Sequence, residues 1–152
     1  LIKVFKRLEG INLQIAGDGP QMKFLEKQAY GYNNIKLLGW IKDKNEFFKK
    51  IDIFFCSSYI EPFGLVILEA MLNGVPVIST KCKGPIDIIE HMKNGILVNI
   101  DDKKEMEKAI NLLKKDQLLR KQISKNAFET LKNKYSIQAY KKNLFTEIKE
   151  TL

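Results

Sequence analysis

Five short apolar runs, each closed by a turn and followed by a stretch of helical periodicity, set the architecture of this 152-residue chain. The runs fall at residues 11–16, 35–38, 52–56, 75–79 and 95–98. Between them apolar residues recur at three- and four-residue spacing, as on one buried helix face. Helices are expected at 21–29, 43–51, 62–73 and 85–92, after a first one marked by Leu1, Val4, Phe5 and Leu8. Asp43 with Glu46, and Asp102 with Glu105, have capping-box spacing and predict helix starts. Gly74 is placed to stop the 62–73 helix. Beyond the helix that opens at Asp102, two more are expected, broken near 133–136. The run Asp52-Ile53-Phe54-Phe55-Cys56 is apolar enough for a strand buried on both faces. Strands alternating with helices at this spacing predict an α/β fold with a doubly wound parallel sheet, Rossmann-like, in one domain spanning 1–152.

Composition removes several function classes. Two cysteines, Cys56 and Cys82, are too few for a disulfide framework or a four-ligand zinc site. A lone histidine, His91, excludes most histidine-based zinc or Ser-His-Asp schemes within the chain. No apolar run reaches the ~18 residues of a membrane span, and the charges in Leu1-Ile2-Lys3-Val4-Phe5-Lys6-Arg7 do not read as a signal peptide. The net charge is +8, with 13 Lys/Arg against 10 Asp/Glu in residues 1–100 and 13 against 8 in 101–152. The excess in the last third fits a solvated lysine-rich surface, or attraction to a phosphorylated ligand or an anionic membrane. With Arg7 and Arg120 as the only arginines and no aromatic platform among them, no nucleic-acid partner is expected.

Doubly wound sheets bind ligands at the carboxyl ends of their strands. The loops to weigh are therefore 17–20, 39–42, 57–61, 80–84 and 99–101. The third leads into Glu61-Pro62-Phe63-Gly64-Leu65-Val66-Ile67-Leu68-Glu69. Pro62 suits a first helical turn, where a missing N–H costs nothing. Gly64 admits close approach to the backbone. The amides of Phe63, Gly64 and Leu65, with the helix dipole, would form an anion site for a phosphate or diphosphate. Glu69 lies about one and a half turns inside the same helix. Two carboxylates bracketing an anion site suit a nucleotide-sugar, which carries hydroxyls on both sides of a diphosphate. Gly17-x-Gly19 lacks the third glycine of a dinucleotide fingerprint, so a nicotinamide cofactor is not expected. Trp40, at a strand end, is expected to pack in the core.

Glu61 and Glu69, with Pro-Phe-Gly-Leu after the first, resemble the Glu-x7-Glu motif of the family 4 (group 1) retaining glycosyltransferases. Further segments follow in that family's order. Ile15-Ala16-Gly17-Asp18-Gly19-Pro20 resembles its GxGP turn. Leu38-Gly39-Trp40-Ile41 resembles its LGxV strand. Asp52-Ile53-Phe54-Phe55-Cys56-Ser57-Ser58 is similar to its DxFxxPS strand, with Cys56 at the proline. Glu69-Ala70-Met71 through Gly74-Val75-Pro76-Val77-Ile78, Gly84-Pro85-Ile86-Asp87-Ile88-Ile89 (Asp87 for the usual glutamate) and Asn94-Gly95-Ile96-Leu97-Val98 complete the set. The resemblance spans 1–115, leaving 116–152 as C-terminal helices.

The resemblance implies one half of a GT-B fold, binding the nucleotide-sugar donor for transfer of a hexose-type sugar to a glycan or lipid-linked acceptor, as in cell-surface polysaccharide synthesis. Glu61 would act at the donor sugar as the catalytic residue. The backbone of Phe63, Gly64 and Leu65 would hold sugar and phosphate oxygens, and Glu69 the ribose. Ile41 would line the base pocket, with Gly17 and Gly19 in a turn beside the donor. No metal or cofactor is implied, and a cytoplasmic location is, with peripheral contact at the inner face of the membrane as an extension. The family's diphosphate-binding Arg and Lys, and a central strand between those near Ile11 and Asp52, would precede residue 1. An upstream acceptor-binding domain is expected on the same ground, and this portion alone is expected to be inactive. The alternatives are a non-catalytic nucleotide-sugar-binding module and a membrane-surface module built on the C-terminal helices.

Overall fold

The computed structural model describes residues 1–151. Five strands, β1 (Leu13–Ala16), β2 (Ile35–Gly39), β3 (Phe54–Cys56), β4 (Val77–Thr80) and β5 (Ile96–Val98), alternate with helices. The helices are α1 (Ile2–Phe5), α2 (Met22–Ala29), α3 (Lys44–Phe48), α4 (Leu65–Leu72), α5 (Lys83–Ile88), α6 (Lys103–Lys115), α7 (Gln117–Thr130) and α8 (Ile137–Thr151). A π-helical turn, Leu131–Tyr135, breaks the chain between α7 and α8 where a break is expected. Residue 152 lies outside the described residues.

All strand pairs are parallel, and they form two sheets rather than one: β1 with β2, and β3–β4–β5 in that order. Residues 11–17 and 52–58 both line a crevice of about 1460 Å³, and β1 and β3 do not pair. The single sheet expected from the sequence is thus divided between β1 and β3.

Both faces of the three-stranded sheet are buried. Side chains alternate across a strand. Ile78, Ile96 and Val98 enter a core with Val4 and Phe5 of α1 and Met106, Ile110 and Leu113 of α6. Val77 and Leu97 enter a second core with Ile67, Ala70 and Met71 of α4 and Ala127 of α7. Every residue of β4 and β5 is buried, as a parallel sheet covered by helices on both faces requires. β3 departs from expectation: Phe54 and Phe55 are only half-buried and Cys56 alone is buried, because β3 borders the crevice.

Both aspartates cap their helices, Asp43 accepting from the Glu46 amide at 2.9 Å and Asp102 from the Glu105 amide at 2.9 Å, but neither glutamate returns the bond that would complete the box: Glu46 Oε1 accepts from Lys49 and Glu105 Oε2 from the Asn99 amide. At the end of α4, the Gly74 amide donates to the Met71 carbonyl and the Val75 amide to the Ala70 carbonyl, with Gly74 at φ +70°. That is a Schellman stop, for which glycine's left-handed conformation is suited. α4 starts later than expected. Gly64, at φ +93°, is its N-cap, so Pro62 lies in a bend outside the helix rather than in its first turn. Trp40 is 74% exposed at the end of β2, not in the core.

Asn94 knots the second core. Fully buried, it accepts from the Glu90 amide at 2.8 Å and donates to the Ile88 carbonyl at 3.1 Å and to Thr130 Oγ1 at 3.0 Å. It thereby ties the turn before β5 to α7. Asn94→Ala leaves buried backbone groups unpaired, and a loss of about 2–4 kcal/mol in urea denaturation is expected; an unchanged midpoint and slope would show the knot to be idle.

Candidate functional site

Each loop that follows a strand sends a residue to the crevice: Gly17 after β1, Trp40 and Ile41 after β2, Ser57, Ser58 and Tyr59 after β3, Thr80 at the end of β4, and Asp101 after β5. Local geometry explains their placing. The Gly17 amide donates to the Gly39 carbonyl at 2.7 Å, joining the first two turns. Gly19 stands in the same turn, its amide bonded to Asp18 Oδ1 at 2.7 Å, and is not among the crevice-lining residues. Thr80, buried at the end of β4, donates its hydroxyl to the Ser58 carbonyl and so holds the start of the third loop. Tyr59 donates to Asp101 Oδ1 at 2.5 Å and links the third loop to the fifth. Asp101 has φ +61°, a left-handed conformation that asparagine and aspartate tolerate better than most residues.

The 61–64 segment stands beside this crevice rather than in its wall. Its position is set by α5. The Gly84 amide donates to the Glu61 carbonyl at 2.9 Å. A Cβ on Gly84 would lie 2.6 Å from the Glu61 carbonyl oxygen and 2.6 Å from the carbonyl carbon and oxygen of Phe63. The contact is backbone to backbone, so no side chain can swing aside. Gly64 is confined as well: its Cβ would meet Ile88 Cδ1 at 3.1 Å and Ile67 Cδ1 at 3.3 Å.

The carboxylate of Glu61 folds onto the start of α4, where Oε1 accepts from the Gly64 amide at 3.0 Å. One of the three amides expected to face a ligand is thus engaged by the protein's own anion. The amides of Phe63, Leu65 and Val66 donate no hydrogen bond among the described residues. The side chains of Phe63 and Leu65 are exposed. A negative group sits at the positive end of the helix dipole, where it is stabilised.

Glu69 lies on the second turn of α4. Lys44 Nζ donates to its Oε1 at 2.7 Å, and its Oε2 is buried with no partner. Glu61 and Glu69 therefore belong to one helix start, while Ile41 and Gly17 belong to the adjoining crevice. Three residues that sequence reasoning gave no role, Gly84, Tyr59 and Lys44, hold this arrangement. Only Gly84 left a trace, as the glycine preceding Pro85 at the fourth strand-end loop.

Among known proteins, a family model described as glycosyl transferases group 1 matches residues 1–130, so α6 and α7, which carry no motif of their own, fall within it. The lipopolysaccharide core biosynthesis glycosyltransferase LpsE of Rhizobium meliloti (strain 1021) is 34% identical over 142 residues, 91% of this chain and 42% of that protein. The crystal structure of Anabaena Alr3699/HepE in complex with UDP-glucose is 28% identical, with a TM-score of 0.87, over 100% of this chain and 44% of that one. The C-terminal domain of LpcC from Francisella tularensis, a glycosyl transferase group 1 family protein, is 30% identical with a TM-score of 0.74, over 90% of this chain and 75% of that domain. This chain spans less than half the length of the first two.

The Gly84 contact leads to a direct expectation. Gly84→Ala must push the 61–63 backbone away, costing about 1–3 kcal/mol in urea denaturation and shifting the amide resonances of residues 61–65; unshifted resonances would mean that the contact does not hold the loop. A second concerns pH. The hydrogen bond to the Asp101 carboxylate raises the Tyr59 phenol above the ordinary tyrosine range. Its link to the fifth loop is therefore intact at and below ordinary tyrosine pKa values and is lost as pH rises through the raised one. Tyr135, partly desolvated, is raised too. In an ultraviolet titration, Tyr59→Phe should remove one late-ionising tyrosine; an unchanged high-pH limb would show that the bond to Asp101 does not hold the phenol.

Proposed function

The chain belongs to the group 1 glycosyl transferases, and we propose that it holds the nucleotide-sugar donor for a retaining transfer of a hexose-type sugar to a glycan or lipid-linked acceptor. The observation that carries this is the Glu61 carboxylate seated on the amide-rich start of α4, with Glu69 eight residues on in the same helix. Similarity over the whole chain to a protein solved with UDP-glucose supports the donor class. LpsE, named for lipopolysaccharide core synthesis, supports the acceptor class.

In this proposal the amides of Phe63 and Leu65, with the α4 dipole, stabilise the nucleotide diphosphate as it departs with the bonding electrons. Glu61 contacts the sugar hydroxyls and stabilises positive charge developing at the anomeric carbon. Gly64 serves through its backbone: its amide passes from the Glu61 carboxylate to sugar and phosphate oxygens, and the freed carboxylate accepts from sugar hydroxyls. Glu69 accepts from the ribose hydroxyls. Ile41, beside Trp40 and in the same crevice as Gly17, borders the base. The turn at Gly19 completes the donor side. The transfer needs no metal, and this chain without an acceptor-binding partner domain transfers no sugar.

A second, compatible element is peripheral membrane contact. Ile137, Tyr140, Leu144 and Phe145 of α8 are exposed beside the exposed Lys141 and Lys142, a pairing of apolar and basic groups that suits an anionic bilayer surface. No helix among the described residues is long and apolar enough to cross a membrane.

The two acids should separate by ligand. Glu61→Gln should weaken UDP-glucose about fivefold or more while leaving UDP nearly unchanged, whereas Glu69→Gln should weaken both. Calorimetry with EDTA present should give the same affinities as without. Identical responses of the two variants to both ligands would sink the assignment.

A further inference from the structure

α3 and α4 meet through two side-chain contacts along one stripe. Val66, Glu69 and Asn73 share a face of α4, being three and seven residues apart. Val66 lines the crevice. Asn73 Nδ2 donates to Asn45 Oδ1 at 3.3 Å, and Lys44 Nζ donates to Glu69 Oε1 at 2.7 Å. Lys44 is the first residue of α3, anchored by the Asp43 cap, and it borders the crevice with Trp40 and Ile41. Its basic side chain is thus delivered to Glu69 from a fixed point.

The two carboxylate oxygens of Glu69 have different fates. Oε1 is held by the ammonium, and Oε2 is enclosed with no hydrogen-bond donor. An enclosed carboxylate oxygen without a donor is costly, and native proteins leave few of them. The cost falls when a ligand hydroxyl replaces the groups that cover Oε2. The Glu69 carboxylate accepts only from Lys44 and would otherwise turn toward water, since a third of its side chain is exposed (36%). An exposed ion pair of this kind contributes little to folding stability. Its effect lies in holding the carboxylate fork in one orientation and compensating its charge.

We propose that Lys44 is a positioning residue for the nucleotide, fixing the Glu69 carboxylate to receive a vicinal diol. This rests on the assignment of Glu69 to the ribose. Oε1 keeps a lone pair beside the ammonium, and Oε2 keeps both of its own, so a ribose can donate to the fork without expelling Lys44.

The test uses the fluorescence of Trp40, the single tryptophan, which borders the same crevice. UDP, ADP and GDP are each titrated beside their 2′,3′-dideoxy counterparts into the wild-type chain, Lys44→Met, Lys44→Arg, Glu69→Gln and the Lys44→Met/Glu69→Gln double variant. Lys44→Met should weaken the preferred ribonucleotide about tenfold and leave its dideoxy form unchanged. Lys44→Arg should recover most of the loss. Glu69→Gln should bring the ribonucleotide to the dideoxy level, and adding Lys44→Met should then change nothing. If Glu69→Gln weakens binding but Lys44→Met does not, Lys44 has no positioning role and the ribose assignment stands. Equal weakening of both nucleotide forms by Lys44→Met would make its role merely structural and overturn the proposal. Equal affinity of wild type for ribo- and dideoxy forms, or no binding of any probe, overturns the ribose assignment and Lys44 with it.

Discussion

Where the loop after β3 crosses α5, two backbones touch with no room for a side chain between them. The amide of Gly84 reaches the Glu61 carbonyl, and the space a Cβ would need is taken by the carbonyls of Glu61 and Phe63. The consequences run outward from that point. The 61–63 bend cannot join α4, so the helix begins one residue after Gly64, whose left-handed conformation turns the chain. The Glu61 side chain is thereby brought to the first amides of α4. The sheet beneath is rigid because β4 and β5 are buried on both faces. Thr80 and Tyr59 then fasten the rest of the loop to β4 and to the turn after β5. The connection is in this way held at three residues, Ser58, Tyr59 and Glu61, by hydrogen bonds to β4, the turn after β5 and α5.

The electrostatic design is local. The overall charge is +8, but the 61–69 segment gathers only one helix end, two carboxylates and one ammonium. Glu61 stands in for an anion at the α4 N-terminus. Glu69 is already neutralised on one side by Lys44 and unsatisfied on the other. Both acids are consequently held in place by bonds within the protein.

Much of the fold was legible in the residues. The strand positions, both aspartate caps, the Gly74 stop and the break before α8 follow from periodicity and from the chemistry of single residues. That Glu61 and Glu69 flank one helix start was legible too, because they lie eight residues apart around a segment of helical periodicity. Errors fell where a distant contact overrode a local preference. Pro62 suits a first helical turn, but α5 holds it outside. Trp40 suits a core, but the strand ends beside a crevice that leaves it 74% exposed. Phe54 and Phe55 suit a fully buried strand, but β3 has a neighbour on only one edge.

Sequence by itself determined the alternation of strands and helices, with their caps and stops, because each depends on residues within a few positions of one another. Tertiary structure alone decided that the sheet is divided at the crevice, that the Gly64 amide is turned to Glu61, and that Lys44 grips one oxygen of Glu69 across 25 positions of chain. Those outcomes are set by which surfaces meet once the cores have formed, and no local pattern of side chains encodes the meeting.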